Sequence, residues 1–147
     1  MNQPAASHFV TALTLGVRDV EASLAFYREA LGLPLVYHVP GEIAFVQAAP
    51  GQLLALWNIA SMPGEYGNVG FSPDSAPPVS LGHNVATAAE VVPLVDRALA
   101  AGATLVSAPE TRSWGGTSGC VADPDGYRID VVHNPAFSIG EDGSLTV

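Results

Sequence analysis

The chain has 147 residues, 48% of them hydrophobic, which is enough apolar material for the core of one domain spanning residues 1–147. Its formal net charge is −9 and its five arginines are scattered, so neither nucleic acid nor a membrane surface is expected as a partner. The sequence shows no secretory signal, no apolar run near the roughly 20 residues of a membrane span, and a single cysteine, so we expect a cytoplasmic protein without disulfides.

The first part of the chain, about residues 8–58, reads as a strand, a helix and three further strands. Apolar residues alternate with small ones from Phe9 to Val17, which predicts a strand with one apolar face. A helix is predicted from Val20 to Leu31, because Asp19 can cap its start and Gly32 can end it. Three short apolar stretches predict the remaining strands, Leu35–Val39, Ile43–Ala48 and Leu53–Trp57.

A connector at about residues 59–78, rich in proline and glycine, is expected to be irregular or to form a flap over a pocket. The same element order then returns at about residues 79–133, with Thr87 as a possible cap of the second helix. Its predicted elements are the strand Val79–Val85, a helix from about Val91 to Ala100, and the strands Thr104–Ser107, Gly119–Ala122 and Tyr127–Val132. A polar tail covers about residues 134–147.

This internal repeat of about 70 residues predicts an α+β fold built from tandem βαβββ modules. Each module covers one face of its strands with a helix and leaves the other face free. We therefore expect a curled mixed sheet with an open concave cleft and with the helices on the outside.

Several short motifs resemble those of the vicinal oxygen chelate superfamily, which includes glyoxalase I, bleomycin-resistance proteins and extradiol dioxygenases. They are Leu15-Gly16-Val17-Arg18-Asp19, Ser23-Leu24-Ala25-Phe26-Tyr27, Ala30-Leu31-Gly32, Ala101-Gly102-Ala103 and Asp123-Pro124-Asp125-Gly126-Tyr127. The ending His133-Asn134-Pro135-Ala136-Phe137 with Glu141-Asp142-Gly143 is similar to a glyoxalase-like branch. The resemblance covers nearly the whole chain and implies the same fold.

Metalloenzymes of that superfamily place four ligands on inward strand positions, and the resemblance carries these positions onto Ala12, Ala55, Ser80 and Asp130. Only Asp130 has a side chain suited to a divalent ion, because a methyl group has no lone pair and a neutral hydroxyl is a weak ligand. No cofactor is therefore expected, with a divalent metal as the alternative.

The free face of the sheet is where ligand contacts are expected. Trp57 shares a face with Ala55, and it either lines a pocket for flat organic molecules or fills the cleft. Asp130 is expected to contact the ligand or to act as a catalytic base, unless it pairs with Arg128. The expected ligand-binding residues are Ala12, Thr14, Ala55, Trp57, Ser80, Asn84, Trp114, Arg128 and Asp130.

The histidines and the cysteine are weaker candidates. His83 shares strand parity with Leu81, so a hydrogen-bonded structural role is favoured over acid–base chemistry. The other three histidines, His8, His38 and His133, are expected at the surface. Cys120 is interpreted as a buried filler rather than a nucleophile, because no inward histidine is evident nearby.

Two functions remain open from the sequence. The first is metal-independent binding of a small, partly aromatic or apolar ligand by a homodimer, whose pairing is implied by the superfamily resemblance. The alternative is an enzyme, a lyase, isomerase or dioxygenase, which either binds metal through unconventional ligands or uses Asp130 as a general base.

Overall fold

The computed structural model describes residues 9–147, which form two modules with the same element order. The first module contains β1 (Ala12–Val17), α1 (Val20–Leu31), β2 (Leu35–Val39), β3 (Ile43–Ala49) and β4 (Gln52–Asn58). The connector, residues 59–78, begins with a 3₁₀ turn (Ile59–Ser61) and the short helix α2 (Pro63–Tyr66). The second module contains β5 (Ser80–Asn84), α3 (Val91–Ala100), β6 (Thr104–Thr111), β7 (Thr117–Ala122) and β8 (Arg128–His133). The α+β class and the tandem βαβββ order predicted from the sequence are confirmed.

Each module forms its own four-stranded mixed sheet. The strand order is β1-β4-β3-β2 in the first module and β5-β8-β7-β6 in the second. In both, the first strand runs parallel to the last one, and the other neighbours are antiparallel. No backbone ladder joins the two sheets within residues 9–147, so the expected curled sheet consists of two separate hydrogen-bonded sheets.

The ends of the main helices follow from the residues that cap them. The Asp19 carboxylate accepts a hydrogen bond from the backbone N–H of Ala22 at 3.0 Å, and Gly32 ends α1 with a φ of 69°. A 3₁₀ turn (Ala88–Glu90) leads into α3, and its Thr87 and Glu90 form a capping box. The predicted caps of α1 are therefore confirmed, whereas Thr87 caps the 3₁₀ turn that leads into α3 and the N-cap of α3 itself is Glu90.

Some strand boundaries differ from the prediction. β1 begins at Ala12 rather than Phe9, and Leu13 at its start is 48% exposed although it belongs to the apolar face. β6 and β7 extend further toward each other than the apolar pattern indicates, because their shared hairpin is polar and carries no alternation. The tail adds a short hairpin of β9 (Ser138–Ile139) and β10 (Leu145–Thr146) that was not predicted.

The helices pack against each other and against one face of each sheet, so the two modules share one apolar core. α1 contacts β3 and β4, α3 contacts β6, β7 and β8, and α1 also packs on α3. The core includes Phe26 and Tyr27 of α1, Leu56 of β4 and Ile129 of β8, none more than 2% exposed. No helix of residues 9–147 is long and apolar enough to cross a membrane.

A buried polar junction connects the turn before β8 to the first module. The hydroxyl of Tyr27 donates to Asp123 Oδ2 at 2.6 Å, while Asp123 Oδ1 accepts the backbone N–H groups of Asp125 and Tyr127 at 2.9 Å each. The hydroxyl of Tyr127 donates to the carbonyl of Gly16 at 2.9 Å. Burial raises the pKa of Asp123, although these hydrogen bonds oppose that shift. The turn thus holds the second module to α1 and β1.

Candidate functional site

The inner face of each sheet, defined as the face opposite to its helix, is the candidate site. On the first module this face surrounds a cavity of about 290 Å³. The cavity is lined by Ala12 and Thr14 of β1, Ile43 and Phe45 of β3, Leu53, Ala55 and Trp57 of β4, and Glu65 and Tyr66 of α2.

Strand register explains why these side chains meet. Ala55 of β4 lies beside Thr14 of β1 on one side and beside Phe45 of β3 on the other. Because side chains at alternate positions share a face, Ala12 and Trp57 point to the same side. The small side chains of Ala12 and Ala55 leave the space that the larger residues surround. Of the predicted site residues, the structure brings together Ala12, Thr14, Ala55 and Trp57.

Trp57 forms a wall of the cavity. Its indole Nε1–H donates to the carboxylate of Glu42 at 2.8 Å, and its ring packs edge-to-face on Tyr66 with centroids 5.6 Å apart. This hydrogen bond lowers the pKa of Glu42, and the Ser61 hydroxyl contributes in the same direction. Both contacts restrict the indole to one orientation.

Five lining residues were missed by sequence reasoning: Ile43, Phe45, Leu53, Glu65 and Tyr66. Leu53 shares the parity of Ala55 on β4, so strand alternation could have found it. Ile43 and Phe45 could have been found from strand alternation, because they share the parity of β3 positions that face away from α1. Glu65 and Tyr66 carry no such signal, since they lie in the connector, where the sequence shows no periodicity.

The inner face of the second module is polar. Asp130 of β8 lies beside Gly82 of β5 and Cys120 of β7 in the strand register. None of these three lines the cavity of the first module. Burial, with the Asp130 carboxylate nearby, raises the pKa of Cys120, so the thiol is a poor nucleophile at neutral pH.

The other predicted residues of the second module are dispersed. The Arg128 guanidinium donates to the carbonyl of Gly126 at 3.1 Å, and no ion pair with Asp130 is seen among residues 9–147. Ser80 lines a groove between the modules, and Asn84 lines a larger cavity near the tail. The cavity of the first module contains neither of them.

Arg112 is a further residue that the sequence did not single out. Its guanidinium donates to the hydroxyls of Ser107 and Ser118, each at 2.9 Å, and to the carbonyl of Ser118 at 2.9 Å. It also pairs with Glu110. These bonds join β6 to β7 across the inner face and fix a cation there.

Trp114 lies in the loop between β6 and β7 and is 52% exposed. Its ring rests directly on Gly116: a Cβ atom at Gly116 would lie 1.8 Å from Trp114 Cζ3 and 2.7 Å from the carbonyl oxygen of His133. Any side chain at this position must therefore displace the indole.

Replacing Gly116 by alanine is expected to release Trp114 from this position and to lower stability by about 1–3 kcal/mol through overpacking. In a Trp57→Phe background, the emission maximum of Trp114 should shift to longer wavelength as the ring becomes more exposed. Gly70→Ala is the matched control, because a Cβ at Gly70 meets nothing within 4 Å. Unchanged Trp114 emission in Gly116→Ala would contradict the observed packing.

The histidines lie apart from the cavity of the first module. His83 is half-buried beside Val131 on the helix side of its sheet, as its parity predicted, but its ring makes no hydrogen bond to a residue within 9–147. Burial lowers the pKa of His83. His38 pairs with Glu21 at 3.0 Å, and His133 lies 3.4 Å from the carbonyl of Val85. His8 lies outside the described residues.

The residues present do not fit a tightly bound divalent ion. No three His, Cys, Asp or Glu side chains come together as ligands anywhere in residues 9–147. Ala12 and Ala55 lie on the inner face as expected, and their methyl groups have no lone pair to donate. Asp130 and Ser80 alone would leave most of the coordination shell to water.

The chain is an α+β protein of the class built from two tandem βαβββ modules, whose inner faces the main helices leave free. Comparison with known proteins identifies the family. The family model of the Glyoxalase/Bleomycin resistance protein/Dioxygenase superfamily matches residues 7–131. The chain belongs to this superfamily, which confirms the resemblance found in the sequence. No curated protein matches the chain.

Solved structures agree with this assignment. A glyoxalase-related enzyme from Fulvimarina pelagi is 38% identical, with a TM-score of 0.87 over 96% of this chain and 99% of that one. A glyoxalase/bleomycin resistance protein/dioxygenase from Nocardioides is 24% identical, with a TM-score of 0.73 over 93% and 91% of the two chains. A lactoylglutathione lyase from Agrobacterium tumefaciens is 22% identical, with a TM-score of 0.64 over 90% and 96%. The last two likenesses concern the fold alone.

Proposed function

We propose that this protein binds a small, partly aromatic or apolar organic molecule on the inner face of the first module without using a metal ion. The observation that carries the proposal is the cavity between Trp57 and the alanines at positions 12 and 55. The superfamily resemblance implies that these two positions hold metal ligands in the metalloenzymes, and alanine cannot serve as one. Its volume of about 290 Å³ is near the lower end of the range for small-molecule sites.

We further propose that the protein works as a homodimer in which a second copy covers this cavity. Tyr66 at the cavity is 51% exposed, so a single chain leaves the bound molecule in contact with solvent. The neighbouring edge strand β2 also exposes large apolar side chains, which favours burial against another chain. They are Leu35, Val36, Tyr37 and Val39. Light scattering coupled to size exclusion should give twice the chain mass; a monomer at micromolar concentration would contradict this part.

The pocket is tested with a library of uncharged aromatic fragments, screened by ligand-detected NMR. Fragments that bind should lose about tenfold in affinity with Trp57→Ala, because truncating a central aromatic wall removes most of the contact area. Gln52→Ala, at the exposed start of β4, serves as a control in the same strand and should leave binding unchanged. Fragments that bind the Trp57→Ala protein equally well would refute this pocket.

Metal analysis of the purified protein distinguishes metal-independent ligand binding from a metal-dependent enzyme. We expect no stoichiometric ion and no stabilisation by Zn²⁺, Ni²⁺, Mn²⁺ or Fe²⁺ in thermal unfolding. A stoichiometric ion that disappears in Asp130→Ala would overturn the metal-independent proposal and favour the enzyme alternative.

A further inference from the structure

Three aromatic side chains from different elements line the cavity of the first module. Phe45 comes from β3, Trp57 from β4 and Tyr66 from α2. The planes of Trp57 and Tyr66 meet at 85° with centroids 5.6 Å apart. Two rings at a right angle form a corner, so an atom placed in it can contact the π-electrons of one ring while it touches the other.

Two acidic groups lie at this corner. Glu65 lines the cavity, and the Glu42 carboxylate accepts the hydrogen bond of the Trp57 indole. None of the residues that line the cavity is basic. The chain as a whole carries a formal charge of −9, so the surrounding field also favours positive groups.

This combination discriminates between kinds of ligand. An anion would meet Glu65 and find no basic partner among the lining residues, so its binding is disfavoured. An uncharged apolar molecule would gain only from the burial of its surface. A positively charged group gains in addition from the negative faces of the rings and from the carboxylate, and aromatic cages use this combination to recognise quaternary ammonium groups.

We propose that the first-module cavity recognises an organic cation, an amine or quaternary ammonium group attached to a partly apolar molecule. This inference rests on the proposed function, because it assumes that the inner face of the first module is the ligand pocket. Trp57 and Tyr66 contact the cationic group, and Glu65 supplies the opposite charge. The volume of about 290 Å³ limits the enclosed part of the ligand to a small head group with a short apolar extension.

The test compares two probes of the same shape that differ in charge. They are para-hydroxyphenyltrimethylammonium and its uncharged isostere para-tert-butylphenol, each titrated into the full-length protein by isothermal calorimetry. We expect the cation to bind about tenfold more tightly than the phenol, because the ring faces and the nearby carboxylate both attract its positive charge.

Three variants identify the source of the preference. Glu65→Gln should reduce the affinity for the cation severalfold and leave the affinity for the phenol unchanged. Trp57→Leu should weaken the binding of both probes. Glu141→Gln, which removes an exposed carboxylate from the tail, should change neither.

The outcomes separate this inference from the proposed function. Equal affinity for the two probes, with both lost in Trp57→Leu, would overturn the cation inference and leave the pocket in place. Tighter binding of the cation that neither Glu65→Gln nor Trp57→Leu weakens would also overturn the inference, because the positive charge would then be recognised at another site. If neither probe binds, the cation inference fails, and the uncharged fragment library decides separately whether the pocket exists.

Discussion

Replacing Asp123 by alanine is expected to lower the free energy of unfolding by about 3–5 kcal/mol. Asp123 is 4% exposed and accepts three hydrogen bonds, from the Tyr27 hydroxyl and from the backbone N–H groups of Asp125 and Tyr127. Alanine would leave these donors without a partner in a region that solvent barely reaches, and each unsatisfied donor costs about 1–3 kcal/mol. The measurement is equilibrium unfolding in urea at pH 7.

Two variants show whether the lost acceptor is responsible. Asp123→Asn keeps one oxygen for the two backbone donors, so we expect less than half the loss seen with alanine. Tyr27→Phe removes one hydrogen bond and is expected to cost about 1–2 kcal/mol. Asp74→Ala, an exposed aspartate in the connector, is the control and should change stability by less than about 0.5 kcal/mol. An alanine variant at position 123 as stable as this control would show that the junction does not hold the modules together.

Truncating Phe26 to alanine is expected to cost about 3–5 kcal/mol, since this residue is 2% exposed in the core that both modules share. Its ring packs edge-to-face on Tyr27 with centroids 5.1 Å apart, so the loss includes an aromatic pair as well as a cavity. The denaturation midpoint in urea should fall with little change in the slope of the transition.

The same substitution at an exposed position gives the control. Phe9 is 78% exposed, and Phe9→Ala should change the free energy of unfolding by less than about 0.5 kcal/mol. Phe26→Leu keeps most of the volume and should lie between the two. Equal effects of Phe9→Ala and Phe26→Ala would mean that the α1 side of the shared core contributes little to stability.

The proposed pocket and the residues of the two stability predictions lie on opposite faces of the sheets. Asp123 and Phe26 act on the helix side, whereas Trp57, Tyr66 and Glu65 surround the cavity on the inner side of the first module. Mild variants of the cavity residues should therefore change ligand binding without the large losses of stability expected for the core. This separation lets binding and folding be measured independently.

The sequence by itself determined the element order, the caps of α1 and the side of each strand to which residues such as Thr14, Ala55 and Trp57 point. These features depend on local rules: alternation assigns a strand face, a carboxylate such as Asp19 satisfies nearby helix donors, and Gly32 adopts a positive φ. The family resemblance then supplied the inward positions and showed that two of the four hold only methyl groups.

Only the tertiary structure decided which of these residues share a site. Tyr66 and Glu65 meet Trp57 because the connector folds back over the inner face, and no periodicity in the connector encodes that path. Tyr27 and Asp123 are 96 residues apart, and their hydrogen bond exists because α1 and the turn before β8 are buried together. Contacts of this kind depend on how whole elements pack, and that packing is the sum of many weak interactions between distant parts of the chain. Caps and strand faces depend instead on neighbours a few residues away.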